Sequence, residues 1–277
     1  MLMHRKDYRH LTFVAGLGVF LLLALAETSL AQSSDQQELA KKTQNPVSDL
    51  ISVPIQNNVN LGIGQNDRTQ NVTNIQPVIP VRAGSLQLIN RTIAPLVYQP
   101  DVQETSGGTY GLGDINHTVF FSPAKAGKLI WGAGPMVSIP TATDDVLGTG
   151  KLGLGPSFVA LTMPGRWVIG ALVNNIWSVA GDSERSDVNQ LMIQYFVNYN
   201  LPGGWYISLA PIITSNWKAE SGNKWTVPFG GAVGKIFRIG NQALNGQVGA
   251  FYNAIHPDTA PYPDWTLRLQ IQFLFPK

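Results

Sequence analysis

Apolar side chains that recur at every second position constrain this chain more than any other feature. In its last segment Trp265, Leu267, Leu269, Ile271, Phe273 and Phe275 alternate with Thr266, Arg268, Gln270, Gln272 and Leu274. Successive residues of a strand point to opposite faces, so this segment has one face suited to lipid and another suited to water. The same period runs through Leu191, Ile193, Tyr195, Val197 and Tyr199, and through Trp205, Ile207, Leu209, Pro211 and Ile213. Counting such runs from Val53 onward, between turn signals, predicts about twelve strands of membrane-spanning length. An even number lets the first and last strands meet antiparallel and close.

A soluble β-sandwich also alternates, so the connections decide. Short ones at residues 82–85, 122–128, 164–165, 202–204 and 239–242 alternate with long ones at 99–111, 140–150, 180–187, 216–224 and 256–264, and a compact 65–69 joins the first two strands. Outer-membrane barrels have short periplasmic turns and longer extracellular loops, and a soluble barrel has no reason to sort them. Acids such as Asp101, Glu104, Asp144, Asp145, Asp182, Glu184, Asp187, Glu220, Asp258 and Asp264 lie in or beside the long loops. Arg82, Lys125, Lys128, Arg166, Lys235 and Arg238 lie in or beside the short turns. Trp131, Trp167 and Trp205 fall near the short-turn end and Trp177, Trp217, Trp225 and Trp265 near the long-loop end, which predicts two interfacial belts. The fold expected is all-β: a transmembrane up-and-down antiparallel barrel of about twelve strands.

Composition agrees. Only 13% of the 277 residues are charged, against roughly 25% in an average soluble domain. A net charge of +2 and the lack of a basic aromatic-interleaved stripe argue against nucleic acid as a partner. With no cysteine there is no disulfide scaffold and no thiolate site.

Residues 1–31 read as a cleaved signal peptide. His4, Arg5, Lys6 and Arg9 precede an apolar run over residues 11–26, and Ser29-Leu30-Ala31 places small residues at the cleavage site, so Gln32 is the expected mature N-terminus. Residues 32–52 form a polar periplasmic lead-in, where Ser34 and Gln37 suggest a short helix near 35–43. That segment is expected to be a mobile terminus, with a partial plug of the barrel mouth as the alternative. Residues 53–277 make the barrel.

Several segments resemble a known family. Gln44-Asn45-Pro46-Val47-Ser48-Asp49-Leu50, Ser122-Pro123-Ala124-Lys125, Pro140-Thr141-Ala142-Thr143-Asp144-Asp145, Asn174-Asn175-Ile176-Trp177-Ser178 and Phe196-Val197-Asn198-Tyr199-Asn200-Leu201-Pro202 look like Gram-negative outer-membrane proteins usually labelled transporters of the phenol meta-cleavage pathway group, some of them labelled neuromedin U. The resemblance covers residues 44–277. It implies a membrane barrel and carries no catalytic motif; the chain departs from the common terminal aromatic in ending Phe275-Pro276-Lys277.

Candidate chemistry is sparse. Past the signal only His117 and His256 remain, without ligand spacing, so no metal site and no cofactor are expected. His117 and Ser122, five apart, would face opposite sides of a strand, which speaks against a hydrolytic pair. Asn71-Val72-Thr73, Asn90-Arg91-Thr92 and Asn116-His117-Thr118 match glycosylation sequons in predicted strands and are taken as chance.

The inward face carries the functional expectation. Gln56, Asn58 and Asn60 on the first strand should meet Arg268, Gln270 and Gln272 on the last, with Asn74, Gln76, Arg82, Gln190, Gln194 and Asn198 extending a polar lumen. Such a lining either conducts small polar solutes or locks into a closed hydrogen-bonded core. A transporter or channel for small solutes, not an enzyme, is the leading expectation. A plugged structural or surface-interaction barrel, a barrel-embedded hydrolase and a secreted soluble barrel follow. Expected partners are outer-membrane lipid and lipopolysaccharide, the barrel-assembly machinery and a small solute. Asp144, Asp145, Asp182, Glu184 and Asp187 are weighed as oxygen ligands for divalent cations at the lipopolysaccharide surface.

Overall fold

A computed structural model describes residues 30–125, 127–258 and 262–276. The expected signal peptide falls almost wholly on residues 1–29, outside the described residues. A helix, α1 (Leu30–Thr43), leads into fifteen strands: β1 (Ile51–Ile63), β2 (Arg68–Ile75), β3 (Val78–Ala83), β4 (Leu86–Pro100), β5 (Gly108–Leu112), β6 (Ile115–Pro123), β7 (Ile130–Ile139), β8 (Lys151–Thr162), β9 (Trp167–Gly181), β10 (Asn189–Asn200), β11 (Trp205–Leu209), β12 (Ile212–Asn216), β13 (Trp225–Ile239), β14 (Gln242–Ile255) and β15 (Trp265–Phe275).

These strands build twelve wall positions, because β2/β3, β5/β6 and β11/β12 are each one wall strand interrupted in the middle. β2 and β3 both pair with β1 and β4, and β11 and β12 both pair with β10 and β13. Pro77 and Pro211 stand at two of the interruptions, where a residue without an N–H drops out of the ladder. At the third, Asp114 leaves the ladder to accept hydrogen bonds from Ala142 N, Thr149 N and Thr149 Oγ1 of the following long loop. Every pairing is antiparallel, and β1 pairs with β15 over eleven residues from Ile51↔Phe275 to Leu61↔Trp265, which closes the ring. Closure leaves no edge strand, the condition for placing a sheet in lipid.

Tight turns define one end. The β3–β4 and β13–β14 hairpins turn through Gly84 (φ 62°) and Gly240 (φ 57°), left-handed positions that suit glycine. The other end carries the long connections.

Pairing transmits the side-chain phase around the ring. On β8, Lys151, Gly153, Gly155, Ser157, Val159 and Leu161 are buried inward while Leu154 and Phe158 are exposed outward. The outer surface carries Val81, Phe121, Phe158, Ile169, Ile207, Phe229, Val233, Val248, Leu267 and Leu269, all exposed. An outer surface so rich in exposed apolar side chains is what a bilayer solvates and what a water-soluble barrel avoids. The tryptophans lie outward near the strand ends: Trp167 against Tyr199 (4.6 Å) and Trp205 under Lys235 (4.8 Å) at the short-turn end, Trp217 against Trp225 (5.6 Å) and Trp265 against Tyr252 (5.1 Å) at the other. No described helix is long and apolar enough to cross a membrane.

Candidate functional site in the barrel lumen

The half of the lumen nearer the short turns is filled. Ile89, Phe120, Ile130, Val159, Leu161, Val168, Leu172 and Phe196 point inward from β4 and β6 to β10 and form one buried apolar cluster together with Val47, which precedes the barrel. Val47 is seated over Gly132, where a β-carbon would come within 2.9 Å of Val47 Cγ1. Leu39, Ala40 and Leu50 bury themselves on the opposite wall against Ile236, Ala243 and Leu274. Residues 39–50 therefore cross the mouth from wall to wall.

Polar ties fix this stopper to the turns. Gln37 donates to the Leu201 carbonyl (3.5 Å), Lys41 donates to the Gly165 carbonyl, and the Gln44 and Asn200 side chains bond each other in both directions (3.0 and 3.1 Å). The helix has low amphipathic contrast, which is why its sequence shows a short polar terminus and not a docking face.

Beside the stopper, a hydrogen-bonded chain runs across the closure seam. Gln272 Nε2 donates to Ser52 Oγ (3.0 Å), Asn245 Nδ2 to Gln272 Oε1 (3.1 Å), and Tyr206 Oη to Asn245 Oδ1 (2.8 Å), with Gln247 Nε2 donating back to Tyr206 Oη (3.3 Å). Gly234 makes room for the Tyr206 ring, since a β-carbon there would fall 2.2 Å from Tyr206 Cζ. Such a satisfied buried network is rigid, because each lost partner leaves a desolvated polar group.

The half nearer the long loops is polar and hollow. Asn58, Asn60, Val72, Ile212, Pro228, Phe251, Asn253, Thr266 and Arg268 surround a cavity of about 200 Å³. Gln56 donates to Asn58 Oδ1 (3.4 Å), which also accepts from Arg268 Nε (3.1 Å). Asn60 accepts from Thr266 Oγ1 (2.7 Å) and donates to Gln70 Oε1 (2.7 Å). The guanidinium of Arg268 lies over the Phe251 ring at 4.6 Å. Deeper in, Arg91 Nη2 donates to Gln76 Oε1 (2.9 Å).

Among the residues singled out from sequence, Gln56, Asn58, Asn60, Asn74, Arg268, Gln270 and Gln272 meet at the closure, with Gln56 opposite both Gln270 and Asn74. Gln194 and Asn198 share the inward register of β10. Arg82 and Gln190 stand exposed at opposite rims and do not join the cavity. Sequence reasoning passed over Arg91, Tyr206, Asn245, Gln247, Asn253 and Gln44. The parity of Gln87, Arg91 and Gln99 on β4, and of Asn245, Gln247 and Asn253 on β14, is the signal that could have found most of them.

The five loop acids are not gathered. Asp144 caps the Val146 N–H, Asp182 accepts from Glu184 N, Asp145 pairs with Arg185 (3.8 Å), and Asp187 pairs with Lys151 (3.7 Å) and Lys218 (3.8 Å). No group of three or more His, Cys, Asp or Glu side chains suited to a metal ion occurs among the described residues. The long-loop end thus holds cations as well as acids, and the sign asymmetry read from the sequence is weaker than it looked. His117 faces outward, its Nδ1 2.9 Å from Thr92 Oγ1, while Ser122 faces inward and donates to the Trp131 carbonyl.

No protein-family model matches the chain, and no curated protein does. Solved structures match it. An outer-membrane channel of Pseudomonas putida F1 aligns over 82% of this chain and 94% of that one, with a TM-score of 0.63 and 17% identity. The β-domain of the Bordetella autotransporter BrkA (82% and 100% covered, TM-score 0.46, 12% identity) and the toluene transporter TodX of Pseudomonas putida (85% and 92%, 0.44, 11%) align more loosely. The first likeness shows the fold of a closed outer-membrane β-barrel; the other two are too loose to carry argument.

Proposed function

We propose that this chain is an outer-membrane transporter or channel for small solutes, closed at its periplasmic end by its own N-terminal segment. One contrast carries the reading: a polar, hollow lumen under the long loops stands above a filled lower half, and the filling includes residues 39–50, which precede the barrel wall and are seated by buried apolar contacts and a few hydrogen bonds. A barrel meant only as a scaffold has no use for an open polar chamber. The long loops would then face the cell exterior, as loop length dictates. The resemblance of residues 44–277 to the outer-membrane proteins labelled transporters of the phenol meta-cleavage pathway group supports the same assignment.

The buried apolar cluster favours a second reading, a permanently plugged structural barrel. Planar-bilayer recordings separate the two. The chain has no cysteine, so cysteines placed at Gln44 and Asn200 can be joined by a short bifunctional thiol reagent. Openings that disappear on cross-linking support a movable stopper. Silence before and after it, with no solute flux, supports the plugged barrel.

A further inference from the structure

We infer that the upper-lumen cavity is a binding site for a small monocarboxylate with a short apolar body, held by Arg268. The inference rests on the transport reading for its purpose but on the cavity alone for its chemistry. Arg268 is 8% exposed, and among the described residues it forms no ion pair. Its one side-chain hydrogen bond among the described residues uses Nε, to Asn58 Oδ1. Nη1 and Nη2 have no hydrogen-bond partner among the described residues, yet neither is sealed off, since the only fully buried unpaired side-chain atoms among those residues are Ser157 Oγ and Ser215 Oγ. The open end of the guanidinium fork therefore fronts the cavity that Arg268 lines.

A buried charge without a counter-ion is costly, and a barrel wall offers many neutral alternatives at that position. A planar fork with two free N–H edges matches a carboxylate bidentately. Asn58 Nδ2, likewise without a hydrogen-bond partner among the described residues, adds a neutral donor. One positive charge among amides suits a monoanion better than a dianion. Val72, Ile212, Pro228 and Phe251 form the apolar part of a wall completed by Asn60, Asn253 and Thr266, and that part would receive the remainder of the solute. A cavity of about 200 Å³ equals roughly seven water volumes at ~30 Å³ each, which is room for a small carboxylate.

Arg91 extends the logic downward. It also forms no ion pair among the described residues, and it faces Val78, which pairs with Ser52, six positions below Asn58 on β1. Six residues correspond to about 20 Å along the strand. Two uncompensated guanidiniums thus stand in series along the lumen.

The test measures equilibrium binding to the full-length barrel in lipid nanodiscs by saturation-transfer NMR and calorimetry, with butyrate, its neutral isostere butyramide, and inorganic phosphate. Butyrate should bind at least ten-fold more tightly than butyramide or phosphate. Arg268→Gln should abolish that preference, leaving butyramide unchanged, and Arg268→Lys should retain part of it. Heat-modifiable gel mobility confirms that each variant is a folded barrel, and Arg268→Lys keeps the test open if Arg268→Gln is not. Equal binding of butyrate and butyramide, phosphate binding as tight as butyrate, or an unchanged preference in Arg268→Gln overturns the site. Binding without any conductance leaves the site standing and removes the transport reading, whereas conductance without binding does the reverse.

Discussion

Gln270 and Leu269 are neighbours in sequence and live in different solvents. Gln270 faces the lumen opposite Gln56, while Leu269 is exposed on the outer face near the middle of β15. Leu269→Arg is expected to cost about 2 to 4 kcal/mol, the range for a cation at the bilayer midplane, and Gln270→Arg much less. Ile193→Arg and Gln194→Arg form the same contrast on β10, and urea unfolding in lipid vesicles measures all four; equal losses within each pair would mean that the faces are misassigned. In the seam network, Tyr206→Phe removes the hydrogen that Asn245 Oδ1 accepts. The stranded acceptor should cost about 1 to 3 kcal/mol, whereas Tyr252→Phe, in the outer belt, should stay within about 0.5 kcal/mol. The residue scale is also where the sequence was most readable, because parity alone assigns a face. It fails where a side chain such as Gln44 acts through a partner far away in sequence.

At the scale of elements, the strands and short turns were legible because each is decided locally, by period two and by a glycine or proline. The interruptions of β2/β3, β5/β6 and β11/β12 were not. Pro77 and Pro211 mark two of them, but whether a proline ends a strand or only skips one ladder bond depends on the neighbouring strands. The role of α1 was illegible for a related reason: its contacts come from Leu39, Ala40 and Lys41 meeting surfaces that exist only once the barrel has closed. At the β8–β9 pairing the register shifts, and a β-carbon on Gly155 would fall 1.7 Å from the Asn175 carbonyl oxygen. Gly155→Ala should therefore destabilise the barrel by about 1 to 3 kcal/mol through overpacking, read as a lower temperature for the gel-mobility transition; an unchanged transition would show that the β8–β9 crossing is slack. In the loops, Arg185 joins two long connections through the carbonyls of Asp145 and Gly148. Arg185→Ala should speed proteolysis within residues 140–150 and 180–187. Chelating divalent cations should leave the unsubstituted loops as resistant as before, and cleavage that rises with chelator would instead assign Asp144, Asp145, Asp182, Glu184 and Asp187 to bound cations.

The whole molecule is a ring whose two faces meet different media, with a stopper in one mouth and a polar chamber under the other. Everything proposed about solutes depends on that division between lipid outside and lumen inside. The absence of cysteine makes the division directly measurable. Single cysteines introduced from Gln190 to Asn198 on β10, each carrying a small environment-sensitive fluorophore, can be placed in vesicles with lipids brominated along their acyl chains. Quenching should alternate with a period of two residues, strong at 191, 193, 195 and 197 and weak at 190, 192, 194, 196 and 198. Quenching that is uniform along the strand, or strong at the even positions, would contradict the account.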